Sequence, residues 1–300
     1  MITILGPTAT GKTKLAAKLA FLIGGEIISA DSRQVYRGMD IGTGKDLEDY
    51  IVEGKQIPFH LIDIHDPGYE YNIFEFQSDF HDAYNTIKNN GNISIMSGGS
   101  GMYIDSILRA YQMKEAPLNK RLRKELLAFS PDDLIDRLKS VSSLHNTTDI
   151  TNPDRLIRAI EIAEAESSSK ALLKFLNGIH SINFGIFYER KQIREYISKR
   201  LDLRLGEGMI DEVRNLLESG LKEEQLMFYG LEYKYITMYL VGEISKGEMY
   251  EKLNTAIHQF AKKQMTWFRR MEKKGVHINW IDGNLALEEK ISLILQKFPR

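Results

Sequence analysis

The sequence predicts an α/β fold in which a parallel β-sheet is flanked by helices and interrupted by an all-helical insert. Short apolar runs alternate with segments of helical spacing, a glycine-rich loop follows the first apolar run, and a long middle segment shows helical spacing only. With 300 residues, 43% of them hydrophobic, the chain is long enough for one large domain that carries an insert.

The first apolar run, residues 2–5, predicts a buried strand. The next eight residues, Gly-Pro-Thr-Ala-Thr-Gly-Lys-Thr, fit the phosphate-loop pattern G-x-x-x-x-G-K-[ST], and residues 14–21 continue with helical spacing. Strand, loop and helix in this order are the context that the pattern requires. We therefore predict a P-loop NTPase-like sheet.

A loop of this kind binds an anion. Its backbone N–H groups and the N-terminus of the following helix favour negative charge, Lys12 adds a positive charge, and the hydroxyl of Thr13 is a ligand for Mg²⁺. We predict that the loop holds a diphosphate or triphosphate, with Mg²⁺ as cofactor. The loop residues are Gly6, Pro7, Thr8, Ala9, Thr10, Gly11, Lys12 and Thr13.

Glycine, proline and asparagine turns separate the elements that follow. The predicted order is a second strand over residues 26–31, a third over 59–64, a helix over 74–89, a fourth strand over 93–96 and a helix over 102–111. After the insert, we predict a strand over 182–187, long helices over 192–217 and 246–270, a last strand over 276–282 and a closing helix. The core is thus expected over 1–113 and 181–300, and the helical insert over 114–180.

Polar residues follow two of the predicted strands. Because ligands of open α/β sheets bind at the carboxyl ends of the strands, we expect Asp31 and the hydroxyl of Ser100 to face the phosphate loop. Asp31 is a candidate for acid/base chemistry, and the alternative is that it only caps a turn. Ser100 lies in a glycine-rich segment, and a plain turn is its alternative. Three tyrosines are candidates to stack on a base, although each is more often a core residue: Tyr36, Tyr71 and Tyr103.

Composition excludes several classes of site and of partner. The absence of cysteine excludes disulfides, thiolate zinc sites and cysteine nucleophiles. No apolar run is long enough for a membrane span and no cleavable signal is recognised, so we expect a cytoplasmic protein without a membrane partner, and a monomer. With a net charge of −1, the chain as a whole is not basic, so a surface that binds a polyanion must be a local basic cluster. The candidates are residues 120–124, Arg155 with Arg158, residues 190–204 and residues 262–274, each of which is alternatively a solvated helix face.

Six motifs together resemble the bacterial tRNA dimethylallyltransferases, in that family's order and over nearly the whole chain. They are the phosphate loop; Asp-Ser-Arg-Gln-Val-Tyr-Arg-Gly-Met-Asp-Ile-Gly-Thr at 31–43; His-Leu-Ile-Asp at 60–63; Gly-Gly-Ser-Gly-Met-Tyr at 98–103; Asp-Arg-Leu-Ile-Arg-Ala-Ile-Glu at 154–161; and Ala-Lys-Lys-Gln-Met-Thr-Trp-Phe-Arg at 261–269. The string that begins at Asp31 is the most specific of them.

The resemblance implies transfer of a dimethylallyl group from dimethylallyl diphosphate to N6 of the adenosine just 3′ of the tRNA anticodon, with Mg²⁺. It implies that residues 8–13 bind the diphosphate, that Lys12, Thr13, Asp31 and Ser100 take part in catalysis, and that the anticodon stem-loop contacts a larger set. That set is Asp31, Ser32, Arg33, Gln34, Ser100, Arg123, Asp154, Arg155, Leu156, Ile157 and Arg158. Because the exocyclic amine of adenine is a poor nucleophile, a carboxylate must take its proton, and Asp31 is the candidate.

Two other functions share the loop and the carboxylate. One is a phosphate-loop kinase of small metabolites, and the other is an inactive RNA-binding paralogue. The length of the insert and the basic C-terminal helices favour a large polyanion over a kinase substrate. An intact Lys12, Thr13 and Asp31 argue against an inactive protein.

The chain departs from the family's usual residues at several positions. Ser100 replaces a threonine, Phe59 replaces a histidine, and Gly44-Lys45-Asp46 replaces Ala-Lys-Pro. Glu232 stands at the glycine of a glycine-tyrosine pair that usually touches tRNA. A carboxylate there is expected to repel phosphate unless it is turned away.

Overall fold

The computed structural model describes residues 1–111, 113, 116, 119–141, 153–165 and 175–298. The chain divides into two compact units, one formed by Met1–Ala110 with Phe175–Arg300 and the other by Tyr111–Lys174. The first unit contains a six-stranded sheet, and the described part of the second is helical.

The sheet of the first unit has the strand order β5-β2-β6-β1-β7-β8, and every pair in it is parallel. Its strands are β1 (Ile2–Leu5), β2 (Gly25–Ser29), β5 (Phe59–His60), β6 (Ile93–Gly98), β7 (Ile182–Phe187) and β8 (Asn279–Asp282). A short antiparallel hairpin, β3 (Ile51–Val52) with β4 (Lys55–Gln56), lies between β2 and β5 in the chain. Because β1 lies between β6 and β7, with Ile2 opposite Ile95 and Ile182, the phosphate loop leaves the middle of the sheet.

Helices connect the strands. In the first unit they are α1 (Lys12–Ile23), α2 (Ile73–Asn89) and α3 (Gly101–Leu108), then α7 (Arg190–Gly206), α8 (Met209–Glu218), α9 (Glu223–Phe228), α10 (Leu231–Leu240), α11 (Lys246–Lys273) and α12 (Leu287–Lys297). Leu15 and Leu19 of α1 pack with Ile4 and Ile27 in one buried cluster, which fixes α1 over the sheet. A parallel sheet flanked by helices confirms the predicted fold class.

The structure corrects several predicted elements. The third strand was predicted over residues 59–64 but ends at His60, because Leu61 (φ 63°) and Asp63 (φ 55°) adopt the left-handed conformation. The predicted long helix over residues 192–217 is two helices, since Gly208, at φ 100°, ends the first and begins the second. The last strand is also shorter than predicted, and α9 and α10 were not predicted.

The second unit has α4 (Lys120–Leu126), α5 (Pro131–Val141) and α6 (Pro153–Glu164) among its described residues. Their apolar faces form a small core of leucine and isoleucine side chains: Leu122, Leu126, Leu134, Leu138, Leu156, Ile157 and Ile160. The side chain of Asn119 accepts a hydrogen bond from the N–H of Leu122 at 3.0 Å and so caps α4.

Candidate active site

A cleft of about 450 Å³ opens at the carboxyl edge of the sheet. The loops after β1, β2 and β6 line one side of it, and α7, α9, α10 and α11 line the other. It brings together four residues that the sequence predicted to act together: Lys12, Thr13, Asp31 and Ser100. A cleft of this size accommodates a small phosphorylated donor together with a base.

Two side chains of the phosphate loop donate hydrogen bonds to a carbonyl group of the same loop. Lys12 Nζ donates to the carbonyl of Pro7 at 2.6 Å and to Oγ1 of Thr10 at 3.3 Å, and Thr10 Oγ1 donates to the same carbonyl at 2.9 Å. Ala9, at φ 61°, adopts the left-handed conformation within the loop. Alternating backbone conformations of this kind direct N–H groups toward one anion site.

The ammonium group of Lys12 is the most strongly perturbed positive charge in the cleft. Burial and the neighbouring Arg200 lower the pKa of Lys12 to about 7, although Asp31 acts in the opposite direction. A bound phosphate compensates both unfavourable effects. Lys12 therefore gains its full charge when an anion binds.

Asp31 both caps a turn and lines the cleft, while its acid/base role stays a prediction. Its Oδ1 accepts a hydrogen bond from the N–H of Arg33 at 2.9 Å, which caps the turn after β2. The same carboxylate lines the cleft with Lys12. Ser100 supports this turn from the neighbouring strand, because its Oγ accepts a hydrogen bond from the N–H of Ser32 at 3.1 Å.

Arg33 and Gln34, the next two residues, occupy different environments. Gln34 is buried and its amide is used internally: Oε1 accepts from Ser29 at 2.9 Å and Nε2 donates to the carbonyl of Gly44 at 2.9 Å. The guanidinium of Arg33 lies 4.9 Å from the ring centre of Phe228, which is 54% exposed at the cleft. An exposed ring beside an arginine suits stacking on a nucleobase.

The three candidate stacking tyrosines are buried. Tyr36, Tyr71 and Tyr103 are at most 8% exposed, and Tyr36 accepts a hydrogen bond from the N–H of Tyr71 through its hydroxyl. They form the aromatic core beside the cleft. Phe228, which the sequence did not single out, presents the exposed ring instead.

Gln264 on α11 connects the phosphate loop to the turn that carries Ser100. Its Oε1 accepts from the N–H of Thr8 at 2.9 Å, and its Nε2 donates to the carbonyl of Gly99 at 2.9 Å. Gln264 is buried, so water does not compete for these bonds. The sequence placed it in a motif but gave no geometric reason for its role.

Two arginines of α7 line the cleft beside the phosphate loop. Arg200 donates to Oγ1 of Thr8 at 3.4 Å and to Asp46, and Arg204 donates to Asp46 at 3.1 Å. Burial alone would raise the pKa of Asp46, but Arg200 and Arg204 hold it below its usual value. The sequence predicted a basic cluster over residues 190–204 without separating these two side chains from the exposed ones.

Glu232 is not turned away from the cleft. It lies in the first turn of α10 and lines the same cavity as Asp31 and the two arginines. Burial raises the pKa of Glu232, and Asp31 adds to this, whereas Glu232's own backbone N–H, Arg204 and Arg200 oppose it.

Comparison with known proteins identifies the family. The family model described as IPP transferase matches residues 34–271. The chain belongs to the IPP transferase family. A Bacteroides fragilis protein named tRNA dimethylallyltransferase 2 is 51% identical over 297 residues, which are 99% of this chain and 97% of that protein. A Parabacteroides distasonis protein named tRNA dimethylallyltransferase 1 is 53% identical over 296 residues, 99% of this chain and 96% of that protein.

Solved structures agree. The crystal structure of the full-length tRNA isopentenylpyrophosphate transferase from Bacillus halodurans matches with a TM-score of 0.71 at 31% identity, and the match covers 98% of this chain and 94% of that one. A eukaryotic dimethylallyltransferase acting on tRNA shares the fold, with a TM-score of 0.78 at 21% identity over 100% of this chain and 80% of that one. The predicted resemblance and the prediction of a transferase enzyme are confirmed, and the relatives support them over a small-metabolite kinase.

The predicted tRNA-contacting residues of the insert fall into three groups in this IPP transferase. Leu156 and Ile157 lie in the core of the second unit, so their side chains do not face a ligand. Asp154 and Arg155 are exposed at the start of α6. Arg123 and Arg158 are half-buried, and both form ion pairs with one carboxylate that also belongs to the insert.

That shared carboxylate belongs to Glu161. Arg123 Nε donates to it at 3.0 Å and Arg158 Nη1 at 3.2 Å, while the N–H of Asn119 donates at 3.1 Å. Burial alone would raise the pKa of Glu161, but these donors hold it below its usual value. The two arginines thus stabilise the insert, and their Nη2 groups are also used within it: Arg123 Nη2 donates to Glu161 and Arg158 Nη2 donates to the carbonyl of Ala116.

The donor set around the phosphate loop fits the magnesium ion that the family implies. Among the described residues, no group of three His, Cys, Asp or Glu side chains forms a metal cage. Mg²⁺ in phosphate-transfer sites takes one or two protein oxygens and completes its shell with water and substrate phosphate. The hydroxyl of Thr13 and the carboxylate of Asp31 line one cleft and are donors of this kind.

No helix among the described residues has both the length and the apolar character that crossing a bilayer requires.

Proposed function

We propose that the protein transfers a dimethylallyl group from dimethylallyl diphosphate to N6 of adenosine 37 of tRNA, just 3′ of the anticodon. The observation that carries this proposal is the shared cleft, in which a candidate base, Asp31, lies with the phosphate-loop residues Lys12 and Thr13. A base and an anion site on one cavity are what transfer from a diphosphate to an amine needs.

Asp31 is proposed to accept the proton of the adenine amine. The amine nitrogen forms a bond to the allylic carbon of the donor, and one of its protons passes to the carboxylate. The hydrogen bond from the N–H of Arg33 holds Oδ1 of Asp31 in place, and no described residue donates a hydrogen bond to Oδ2. Oδ2 is then the oxygen that receives the proton.

The electron pair of the breaking carbon–oxygen bond remains on the leaving diphosphate. Lys12, the backbone N–H groups of residues 9–13 and Arg200 are proposed to stabilise that charge, because Lys12 lines the cleft and Arg200 contacts the loop at Thr8. Mg²⁺, held by Thr13 and the diphosphate itself, would add further charge stabilisation when bound.

The acceptor base must leave the anticodon loop to reach the cleft. Unstacking costs a few kcal/mol, which contacts to the tRNA backbone and stacking on exposed side chains offset. We propose that Ser32, Arg33 and Phe228 contact the flipped base or its neighbours, because they line the cleft around Asp31. Arg123, Asp154, Arg155 and Arg158 of the insert are proposed to contact the anticodon stem-loop.

The direct test incubates the protein with dimethylallyl diphosphate labelled in its allyl group, Mg²⁺ and tRNA. Label is expected in RNA, and nucleoside digestion is expected to place it on N6-dimethylallyladenosine. A matched tRNA transcript with guanosine at position 37 should remain unlabelled. Absence of label from the adenosine-37 tRNA would overturn the proposal, and transfer from γ-labelled ATP to a small metabolite would establish the kinase instead.

We further propose that the protein acts in the cytoplasm and as a monomer. Sedimentation of the purified protein tests the oligomeric state, and cell fractionation tests the location.

A further inference from the structure

Four charged side chains converge beside the phosphate loop. The carboxylate of Asp46 accepts hydrogen bonds from both Arg200 and Arg204, with Arg204 Nη2 at 3.1 Å from Oδ1 and 3.3 Å from Oδ2. Glu232 lines the same two cavities as both arginines. Arg204 is only 9% exposed, so the group lies in the wall of the cleft and not on the outer surface.

Gly44 makes room for this group. Its φ is +66°, and a Cβ at this position would lie 2.1 Å from Nη2 of Arg204. A side chain at this position would require the guanidinium of Arg204 to move. Gly44, Asp46 and Glu232 thus all lie around one pair of arginines.

The arginine pair is unfavourable without Asp46. Burial and the like charge of Arg204 lower the pKa of Arg200, which shows that the two guanidiniums repel each other across the cleft wall. Asp46 bridges them through both carboxylate oxygens. Since Arg200 Nη1 also reaches Thr8 Oγ1 at 3.4 Å, the bridge fixes the guanidinium of Arg200 against the phosphate loop.

Resting on the proposed function, we propose that Asp46 and Glu232 control how Arg200 meets the diphosphate of the donor. Asp46 is a positioning residue that holds Arg200 at the phosphate loop. Glu232 is a counter-charge in the same cavity, and it weakens diphosphate binding whenever it is ionised.

The two carboxylates therefore act with opposite sign. If charge alone mattered, neutralising either one would strengthen the binding of an anion. If Asp46 positions Arg200, neutralising Asp46 weakens anion binding instead, because an arginine released from its partner no longer points at the loop. Glu232 is not seen to accept a hydrogen bond from either arginine among the described contacts, so its neutralisation removes repulsion and leaves the bridge intact.

The test measures binding of inorganic pyrophosphate in Mg²⁺ buffer by calorimetry, which needs no transfer reaction. Asp46→Asn is expected to raise the Kd at pH 7.5 about tenfold, and Glu232→Gln is expected to lower it several-fold. Asparagine suits position 46 because Asp46, at φ 45°, adopts the left-handed conformation that asparagine tolerates. Asp66→Asn is the matched control, since Asp66 pairs with Arg37 on the exposed surface and its Kd should equal that of the wild type.

A pH series separates Glu232 from its neighbours. Arg200 and Arg204 face Glu232 from α7, Asp31 faces it from the loop after β2, and Lys12 titrates in the same cleft. Lys12 and Asp31 are present in the wild type and in the Glu232→Gln variant. The ratio of the wild-type Kd to the variant Kd therefore reports the effect of Glu232 alone. That ratio is expected to fall toward one as the pH is lowered and the carboxyl of Glu232 takes up a proton, and to grow as the pH rises.

A tighter or unchanged Kd for folded Asp46→Asn overturns the positioning role, and a pH-independent ratio overturns the role of Glu232. Melting temperatures establish that each variant is folded, and Asp46→Glu, which keeps the charge, should bind closer to wild type than Asp46→Asn does. If the pyrophosphate results follow the expectation but no label enters tRNA, the proposed transfer fails while this inference stands. If tRNA is labelled and the pyrophosphate results contradict it, only this inference falls.

Discussion

Oδ1 of Asp31 accepts a hydrogen bond from the backbone N–H of Arg33 at 2.9 Å, and the same carboxylate lines the cleft that contains Lys12. One side chain therefore both shapes the turn after β2 and faces the anion site. Asparagine keeps an oxygen for the N–H of Arg33 but cannot accept a proton. This conservative change separates the structural contribution of Asp31 from its chemical one.

We expect Asp31→Asn to lower the turnover number by about a hundredfold to ten-thousandfold, while the affinities for tRNA and donor change little. The physical reason is the loss of the group that takes the amine proton. Single-turnover transfer and a thermal melt measure the two contributions. A folded variant that transfers at the wild-type rate would show that Asp31 only caps the turn.

Lys12→Ala and Thr13→Ala should each reduce turnover by about a hundredfold or more at limiting donor and Mg²⁺, because each removes stabilisation of the charge on the leaving diphosphate. Lys14→Ala is the matched control, since Lys14 is exposed in the first turn of α1. Steady-state rates over a range of donor and Mg²⁺ concentrations provide the measurement. Unchanged rates in both loop variants would exclude the phosphate loop from the reaction.

Diphosphate binding should take up a proton at Lys12. The pKa of Lys12 is about 7 in the free protein, so most of its ammonium is deprotonated at pH 8, and a bound diphosphate raises that pKa again. Affinity should therefore fall as the pH rises above about 7. Calorimetry with pyrophosphate at pH 8, in two buffers of different ionisation enthalpy, counts the protons taken up. The Lys12→Arg variant stays charged throughout. Equal proton uptake in this variant and in the wild type would exclude Lys12 as the group that takes up the proton.

Neutralising Arg123, Arg155 or Arg158 singly should raise the Michaelis constant for tRNA and leave donor binding unchanged. Each lost phosphate contact should reduce the slope of log affinity against log salt by roughly one unit. Salt titrations of tRNA binding give the slopes. If the triple variant kept the full wild-type slope, the insert would not contact the tRNA backbone.

Stability separates the three arginines. Arg123 and Arg158 hold the carboxylate of Glu161, which is 1% exposed, so losing either leaves a buried charge with fewer donors. We expect Arg123→Gln and Arg158→Gln to lower the melting temperature of the protein more than Arg155→Gln does. Equal melting temperatures in all three variants would contradict a structural role for the Glu161 ion pairs.

The insert should also lose stability in acid. Because the pKa of Glu161 lies below its usual value of 4.5, the contribution of its ion pairs is present above that pH and is lost as the pH falls through the lowered pKa. Circular dichroism melts between pH 6 and pH 3 measure this loss. Glu161→Gln has no charge to titrate there, so the wild type should show the steeper decline.

Much of the fold follows from local sequence patterns. The run of buried residues in β1, the glycine loop and the helical spacing of α1 are sequential neighbours, so their relation is readable without tertiary contacts. The third strand was predicted too long because left-handed backbone at Leu61 and Asp63 leaves no trace in hydrophobic periodicity. The break at Gly208 was missed because a glycine within a helical pattern does not by itself predict a break, and the left-handed conformation of Gly208 is seen only in the structure.

The residues of the candidate site that lie in sequence motifs were predictable. Asp31, Lys12 and Ser100 come from strand ends, and the carboxyl-edge rule brings them together. Gln264 and Arg200 contact the phosphate loop from far along the chain, 256 residues from Thr8 in one case and 192 in the other. Side-chain bonds across such separations depend on helix packing, which spacing does not encode. The same holds for the burial of Gln34 and of Ile157.

The bond between Thr8 and Gln264 has a consequence for how the protein is made. Ribosomes synthesise the phosphate loop first, yet the buried amide that ties the loop to Gly99 belongs to α11, near the other end of the chain. A nascent polypeptide can pair β1 and β2 with β6 once residue 98 has emerged from the exit tunnel, but its anion site lacks this tie until residue 264 has emerged. Unfinished chains released before that point would therefore compete poorly with the completed enzyme for the cellular pool of prenyl diphosphate.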